Sequence, residues 1–201
     1  MVQIAVSGGG IAGMAAALAA ARSGHEVTLF SGSAQAALVG GLQLAPNGWA
    51  ALHDLGLTAV AEQQSIRLTE ITVRSLGNGS TLIRLPLHDP YASFDRAVLA
   101  GLLRDALAAE SAVSVRQVNL AHIHQLGDGV RLLADDGTGD SFAGLIAADG
   151  GNGLGRRHVT ASQVPRSMSA KLAMRALVSL SSLPAHFALP SSNLWLGRGM
   201  H

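Results

Sequence analysis

The 201-residue chain contains no cysteine, which excludes disulfides, thiolate metal ligands and a cysteine nucleophile. An excess of one charge is also lacking, since 14 Lys and Arg against 13 Asp and Glu leave a net charge of +1. That balance gives no electrostatic footprint for nucleic acid or an acidic partner. A phosphate-bearing small molecule is still compatible with it, because backbone amides and helix ends hold phosphates without a basic patch. No apolar run reaches the length of about 18 to 20 residues that crosses a bilayer, so no membrane span is expected. The apolar start has no basic region and is broken at Ser7-Gly8-Gly9-Gly10, unlike a secretory signal; a cytoplasmic protein is expected. Gly-x-Ser-x-Gly is missing and neither Ser7 nor Ser31 has an adjacent base, so nucleophilic catalysis has no support.

What is present is a hydrophobic fraction of 48% in a chain long enough to bury a substantial core. Val2 to Val6 reads as a strand, Ile11 to Arg22 as an Ala/Leu-rich helix stopped at Ser23-Gly24, and His25 to Phe30 as a second strand. Strand, glycine turn, helix and strand make a βαβ unit with parallel strands. Residues 34 to 44 read as loop, after which Asn47 is expected to cap a helix that Gly56 ends. Residues 67 to 88 alternate around Gly77-Asn78-Gly79 as a hairpin. Asp95 to Glu110 reads as a helix whose apolar face carries Val98, Leu102, Leu103 and Leu107. Strands at 113–118, 120–126, 129–134 and 141–148 are expected to form a meander inserted into a parallel α/β sheet. Beyond Val164-Pro165, residues 170–180 and 192–197 read as strands of another sheet.

Gly8, Gly10 and Gly13 satisfy G-x-G-x-x-G between a strand and a helix. In that context the first glycine permits the turn, the second lets a pyrophosphate approach the backbone, and the third lets helix pack on strand. The helix N-terminus adds unpaired amides and a positive dipole end. The acid expected about 20 residues further on is missing: Ser31 stands in its place, and Glu26 lies at the wrong end of the strand. A hydroxyl in place of a carboxylate weakens ribose binding by about 1.5 to 3 kcal/mol. No basic residue lies between Arg22 and Arg67 to read a 2′-phosphate.

Three later segments, GGLQLAPNGWAALHDLGL (40–57), FDRAVLAGLLRDAL (94–107) and GLIAADGGNGLGRRHV (144–159), carry a more specific resemblance. With the glycine turn, they resemble the FAD-dependent aromatic hydroxylases, the flavoprotein monooxygenases that include salicylate hydroxylase and p-hydroxybenzoate hydroxylase. The resemblance runs over essentially the whole chain but over only the first half of such an enzyme. It implies an α/β fold: a Rossmann-like FAD-binding domain at 1–66 and 93–164, with a βαβ start and an inserted antiparallel meander. A β-rich substrate domain would be begun by 67–92 and 165–201. It further implies that Gly8, Gly10 and Gly13 hold the pyrophosphate and that Ser31 faces the ribose. Arg96, Asp149 and Gly150 would serve the ribityl-phosphate region, with Gln43 near the flavin. Arg156 also matches, whereas Gly153 stands where the family commonly has serine.

The activity implied is hydroxylation of a small aromatic substrate with O2 and NAD(P)H, the cofactor performing the oxygen chemistry while the protein orients and shields it. No residue is a candidate general acid or base. The family's Gly-Asp-Ala motif is missing, and the ending LWLGRGMH reads as a substrate-domain strand cut short. A second reading is therefore a half-length, FAD-weak or inactive remnant, or a partner subunit associating with a separate second half; a homo-oligomer is also open. A third is an NAD(P)-dependent oxidoreductase, less favoured because neither ribose reader is present. His122 and His124 share one face of a strand, a possible metal pair without a third ligand, and no metal site is expected. Trp49 and Trp195 read as packing residues.

Overall fold

The computed structural model describes residues 1–32, 40–160, 174, 176–184 and 190–199. In chain order the first elements are β1 (Gln3–Ser7), α1 (Ile11–Arg22), β2 (Glu26–Phe30), β3 (Gly41–Leu44), α2 (Pro46–Asp54) and α3 (Thr58–Gln63). They are followed by β4 (Ile66–Arg67), β5 (Glu70–Ser75), β6 (Thr81–Pro86), β7 (Ala92–Asp95), α4 (Arg96–Ala108) and β8 (Val113–Arg116). The remainder are β9 (Leu120–Gln125), β10 (Val130–Ala134), β11 (Gly139–Phe142), β12 (Gly144–Ala147), α5 (Leu154–Val159) and β13 (Ser192–Leu196). These elements make an α/β fold whose chain divides into two compact units, Met1–Leu38 with Leu99–Leu172 and Val39–Val98 with Ala173–His201.

The first unit is built on a parallel sheet of order β12-β1-β2-β8. Its central strands β1 and β2 bury Ala5, Val6, Val27, Leu29 and Phe30, as expected of strands covered on both faces. Helix α1 follows from nine alanines, leucines and methionines in twelve residues, all strong helix formers. The antiparallel meander β11-β10-β9 turns Ile123, Val130, Leu132 and Phe142 inward. They join Ala5 and Phe30, whose ring meets Phe142 edge-on at 5.8 Å. In the Asp135-Asp136-Gly137 turn, the Thr138 hydroxyl and then its backbone N–H donate to Asp136 and hold that exposed carboxyl below its ordinary range.

The second unit carries the sheets β3-β7-β4 and β13-β5-β6. Trp49 on α2 packs against Phe94 on β7 at 5.9 Å between ring centroids, the packing role expected of it. In β13-β5-β6 the register divides the faces. Glu70, Thr72, Arg74, Arg84 and Asn193 share bonds on one side, and Ile71, Val73, Ile83, Leu85, Leu194 and Leu196 line the other. The Arg74 guanidinium also lies over the Trp195 ring.

Several expectations need correction. Residues 41–44 form β3 rather than loop, because their backbone pairs with β7, itself unforeseen. Asn47 does not cap α2: Ala45 is the N-cap and Pro46 occupies the first turn, where its missing N–H costs nothing. On α4 Leu102, Leu103 and Leu107 are buried as expected, but Leu99 is buried with them whereas Val98 is 38% exposed. Strand β8 belongs to the parallel sheet beside β2, leaving three strands in the meander. The expected strand 141–148 is split into β11 and β12, the latter pairing with β1. Helices α3 and α5 were not anticipated. The expected strand over 170–180 falls largely outside the described residues, and 176–179 form no strand before a 3-10 turn at Leu180–Ser182.

Leu132 is 1% exposed in the meander core, whereas Leu126 at the neighbouring turn is 40% exposed. Leu132→Ala is expected to cost about 2 to 5 kcal/mol and Leu126→Ala no more than about 0.5 kcal/mol, as measured by urea unfolding.

Candidate functional site

Parallel pairing aligns Ser7 of β1 with Phe30 of β2 and Ala147 of β12, so three strands end together at one edge of the sheet. Open α/β folds bind ligands outside this carboxyl edge. A cleft of about 480 Å³ opens there, lined by Ser7 to Gly10, Phe30 to Gly32, Val118 to Leu120 and residues from Ala148 to Arg157. It lies wholly within the first unit. Of the residues expected from sequence, it gathers Gly8, Gly10, Ser31, Asp149 and Gly150.

Gly13 lies behind the cleft wall. A Cβ there would overlap the Gly8 carbonyl oxygen, so α1 can sit this close to the turn only with glycine at 13. Gly8 itself has φ +105, in the region L side chains avoid, and it abuts the Ala148–Asp149 backbone. These two glycines are demanded by the chain's own packing. Gly10 differs. It is the α1 N-cap, with extended backbone and exposed, and a Cβ on it would meet nothing within 4 Å.

Helix α1 has no side-chain cap and no acid in its first turn, so no anion of the chain competes for its first-turn amides, which follow directly on Gly10 at the cleft wall. Ser7, at the end of β1, also lines the cleft, and its buried hydroxyl has no hydrogen-bond partner among the described residues. Opposite, Asp149 follows β12 and accepts a 3.0 Å hydrogen bond from the Gly155 amide. One carboxylate oxygen is thus spent on the start of α5. Side chains at Gly153 or Gly155 would crowd that carboxylate, so glycine at 153 suits an aspartate turned back on its own helix. Arg157, rather than Arg156, lines the cleft, and its guanidinium donates to the Asn152 carbonyl at 2.7 Å.

Ser31 is 3% exposed, and its hydroxyl packs against the Gly9 backbone. Next to it, the Asn119 side-chain oxygen fills the space that a side chain at Gly32 would need. The Asn119 amide nitrogen donates to Asp135 at 2.9 Å. Sequence reasoning missed Ser7, Asn119 and Arg157. Ser7 was signalled only as a polar residue ending an apolar run, and Asn119 belongs to no motif.

Gln43 and Arg96 belong to the second unit. Gln43 accepts from the Tyr91 hydroxyl at 2.9 Å and donates to Ser192 at 2.7 Å, so both ends of its amide are fixed. Arg96 opens α4, and its Nε is buried with no partner among the described residues. A cation at a helix N-terminus opposes the dipole, and an anion would relieve both conditions. His122 and His124 are exposed on β9 with ring centroids 6.1 Å apart, and no group of three metal-ligating side chains occurs among the described residues. No described helix is long and apolar enough to cross a membrane.

Gly13→Ala would press a methyl group on the Gly8 carbonyl, and a rigid backbone neighbour cannot swing aside. It is expected to cost about 1 to 3 kcal/mol in urea unfolding.

No family model matches the chain. Among characterised proteins it is 33% identical to 3-amino-4-hydroxybenzoate 2-monooxygenase PtmB3 of Streptomyces platensis, over 99% of this chain and 52% of that one. It is 29% identical to 3-hydroxybenzoate 6-hydroxylase of Klebsiella oxytoca, over 98% of this chain and 51% of that one. Among solved structures, p-nitrophenol 4-monooxygenase PnpA from Pseudomonas putida DLL-E4 matches with a TM-score of 0.68 and 19% identity, covering 79% of this chain and 44% of that one. Klebsiella pneumoniae HpxO, complexed with FAD and uric acid, matches with a TM-score of 0.65 and 24% identity, covering 78% and 41%. The chain spans about half the length of the curated relatives it matches. Its homologues are FAD-dependent aromatic hydroxylases, of which it spans about half, and the solved structures share its fold.

Proposed function

We propose that the chain is the FAD-binding part of a monooxygenase that uses NAD(P)H and O2 to hydroxylate a small aromatic ring, of the benzoate class on which its relatives act. The observation that carries this reading is Gly10. Its backbone is extended and its Cβ position is empty, so nothing among the described residues requires glycine there. A pyrophosphate lying against that backbone does require it. The uncapped amides of α1 and the unpartnered Ser7 hydroxyl suit the same anion.

In this reading 1–66 and 93–164 bind FAD, and 67–92 and 165–201 begin a substrate domain. FAD supplies the redox chemistry by which reduced cofactor and O2 deliver one oxygen atom to the ring. Gly8 and Gly13 fix the turn, Gly10 leaves room for the pyrophosphate, and the first-turn amides of α1 donate to it. Arg96 offers its guanidinium to the anionic stretch of the cofactor. Asp149 and Gly150 hold the ribityl side of the cleft through the carboxylate oxygen that Gly155 leaves open. Gln43, clamped by Tyr91 and Ser192, presents a fixed amide to the flavin. Catalysis then calls for no general base on this chain.

Gly10→Ala is expected to lower FAD affinity at least about tenfold while costing no more than about 1 kcal/mol of stability, read by flavin fluorescence titration and thermal unfolding. A wild-type chain left colourless after desalting from excess FAD would overturn the reading. FAD retained without ring-stimulated NAD(P)H oxidation would assign the chain to cofactor binding alone, as a partner subunit.

A further inference from the structure

We infer that Asn119 is the acceptor for a ribose hydroxyl of the bound adenosine, at the place where dinucleotide sites ordinarily carry an acid on the second strand. The inference rests on the cleft being a dinucleotide site. With phosphates at the α1 N-terminus, the adenosine ribose falls beyond the end of β2. The residues there are Ser31 and Gly32 on one side and Val118, Asn119 and Leu120 on the other.

Ser31 is poorly placed to serve, since its hydroxyl is packed on Gly9 and the residue is 3% exposed. Asn119 reaches the same edge from a different strand. β8 runs parallel to β2 with Arg116 beside Phe30, and three residues later the chain brings Asn119 next to Gly32. Its oxygen occupies the volume that any side chain at position 32 would need. A glycine at 32 and an amide at 119 therefore fit one another.

The amide can point only one way. A carboxylate accepts and does not donate, so the Asn119 nitrogen must face Asp135, to which it donates at 2.9 Å. The Asp135 backbone N–H in turn donates to the Asn119 carbonyl at 2.9 Å, which fixes both ends of the residue. The side-chain oxygen is left toward Gly32 and the cleft. It is an oriented, neutral acceptor, matched to a hydroxyl donor, and as a single uncharged bond it is weaker than the bonds an acid would make.

The test is calorimetric titration of the whole chain with ADP and with 2′,3′-dideoxy-ADP. The wild type is expected to prefer ADP about five- to tenfold. Asn119→Ala is expected to bring the two affinities together while inorganic pyrophosphate binds as before. Asp135→Ala, which frees the amide but keeps it, is expected to reduce the preference partway, and it decides the question if circular dichroism finds Asn119→Ala unfolded. An undiminished preference in the variant that decides, or no preference in the wild type, would overturn the assignment while leaving the dinucleotide site intact. Failure of the wild type to bind ADP at all would overturn both.

Discussion

The structure turns on a backbone-to-backbone approach: the first turn of α1 lies against the Gly8 carbonyl with no room for a Cβ at Gly13. This contact sets the height of the helix over the sheet and aims its unpaired amides past the end of β1. On the other flank, Gly8 abuts the Ala148–Asp149 backbone, which follows the parallel neighbour β12. Three main-chain segments thus meet at one point with no side chain between them. Such a junction cannot be adjusted by rotamer changes.

Around that rigid centre the polar groups divide their tasks. Asp149 is half engaged by Gly155, Arg157 is steadied by the Asn152 carbonyl, and Asn119 is tied to Asp135. Each uses part of its hydrogen-bonding capacity to fix itself and keeps the rest for the cleft. Pre-orientation of this kind lowers the entropy lost on binding. The amides of α1 need no such help, since the helix itself orients them.

The parts of the fold that were legible in the sequence are those set by local chemistry. Ile11–Arg22 is helical because of its alanines and leucines, and the turn at Gly77-Asn78-Gly79 is marked by residues that turns require. The strands Gly41–Leu44 and Ala92–Asp95 were not legible, because four residues of mixed polarity carry no periodicity and form strands only by pairing with each other. The fate of 113–148 was half legible: strands were evident, but β8 and β12 join the parallel sheet through partners 86 and 140 residues earlier in the chain. The candidate site follows the same rule. Gly8, Gly10 and Gly13 announce themselves by spacing, whereas the place of Asn119 depends on the register of β8 on β2 and on a turn sixteen residues later.

The strand order β12-β1-β2-β8 has a kinetic consequence. The first strand of the chain is enclosed between a strand that follows it closely and one that begins at Gly144. Its second neighbour therefore cannot dock until most of the unit has been made and its loop closed, and such non-local pairing is slow. The cleft, drawn from positions near 8, 31, 119 and 150, is complete only once that pairing has formed. A nucleotide that recognised the finished cleft alone would draw the folding equilibrium toward the native state by mass action.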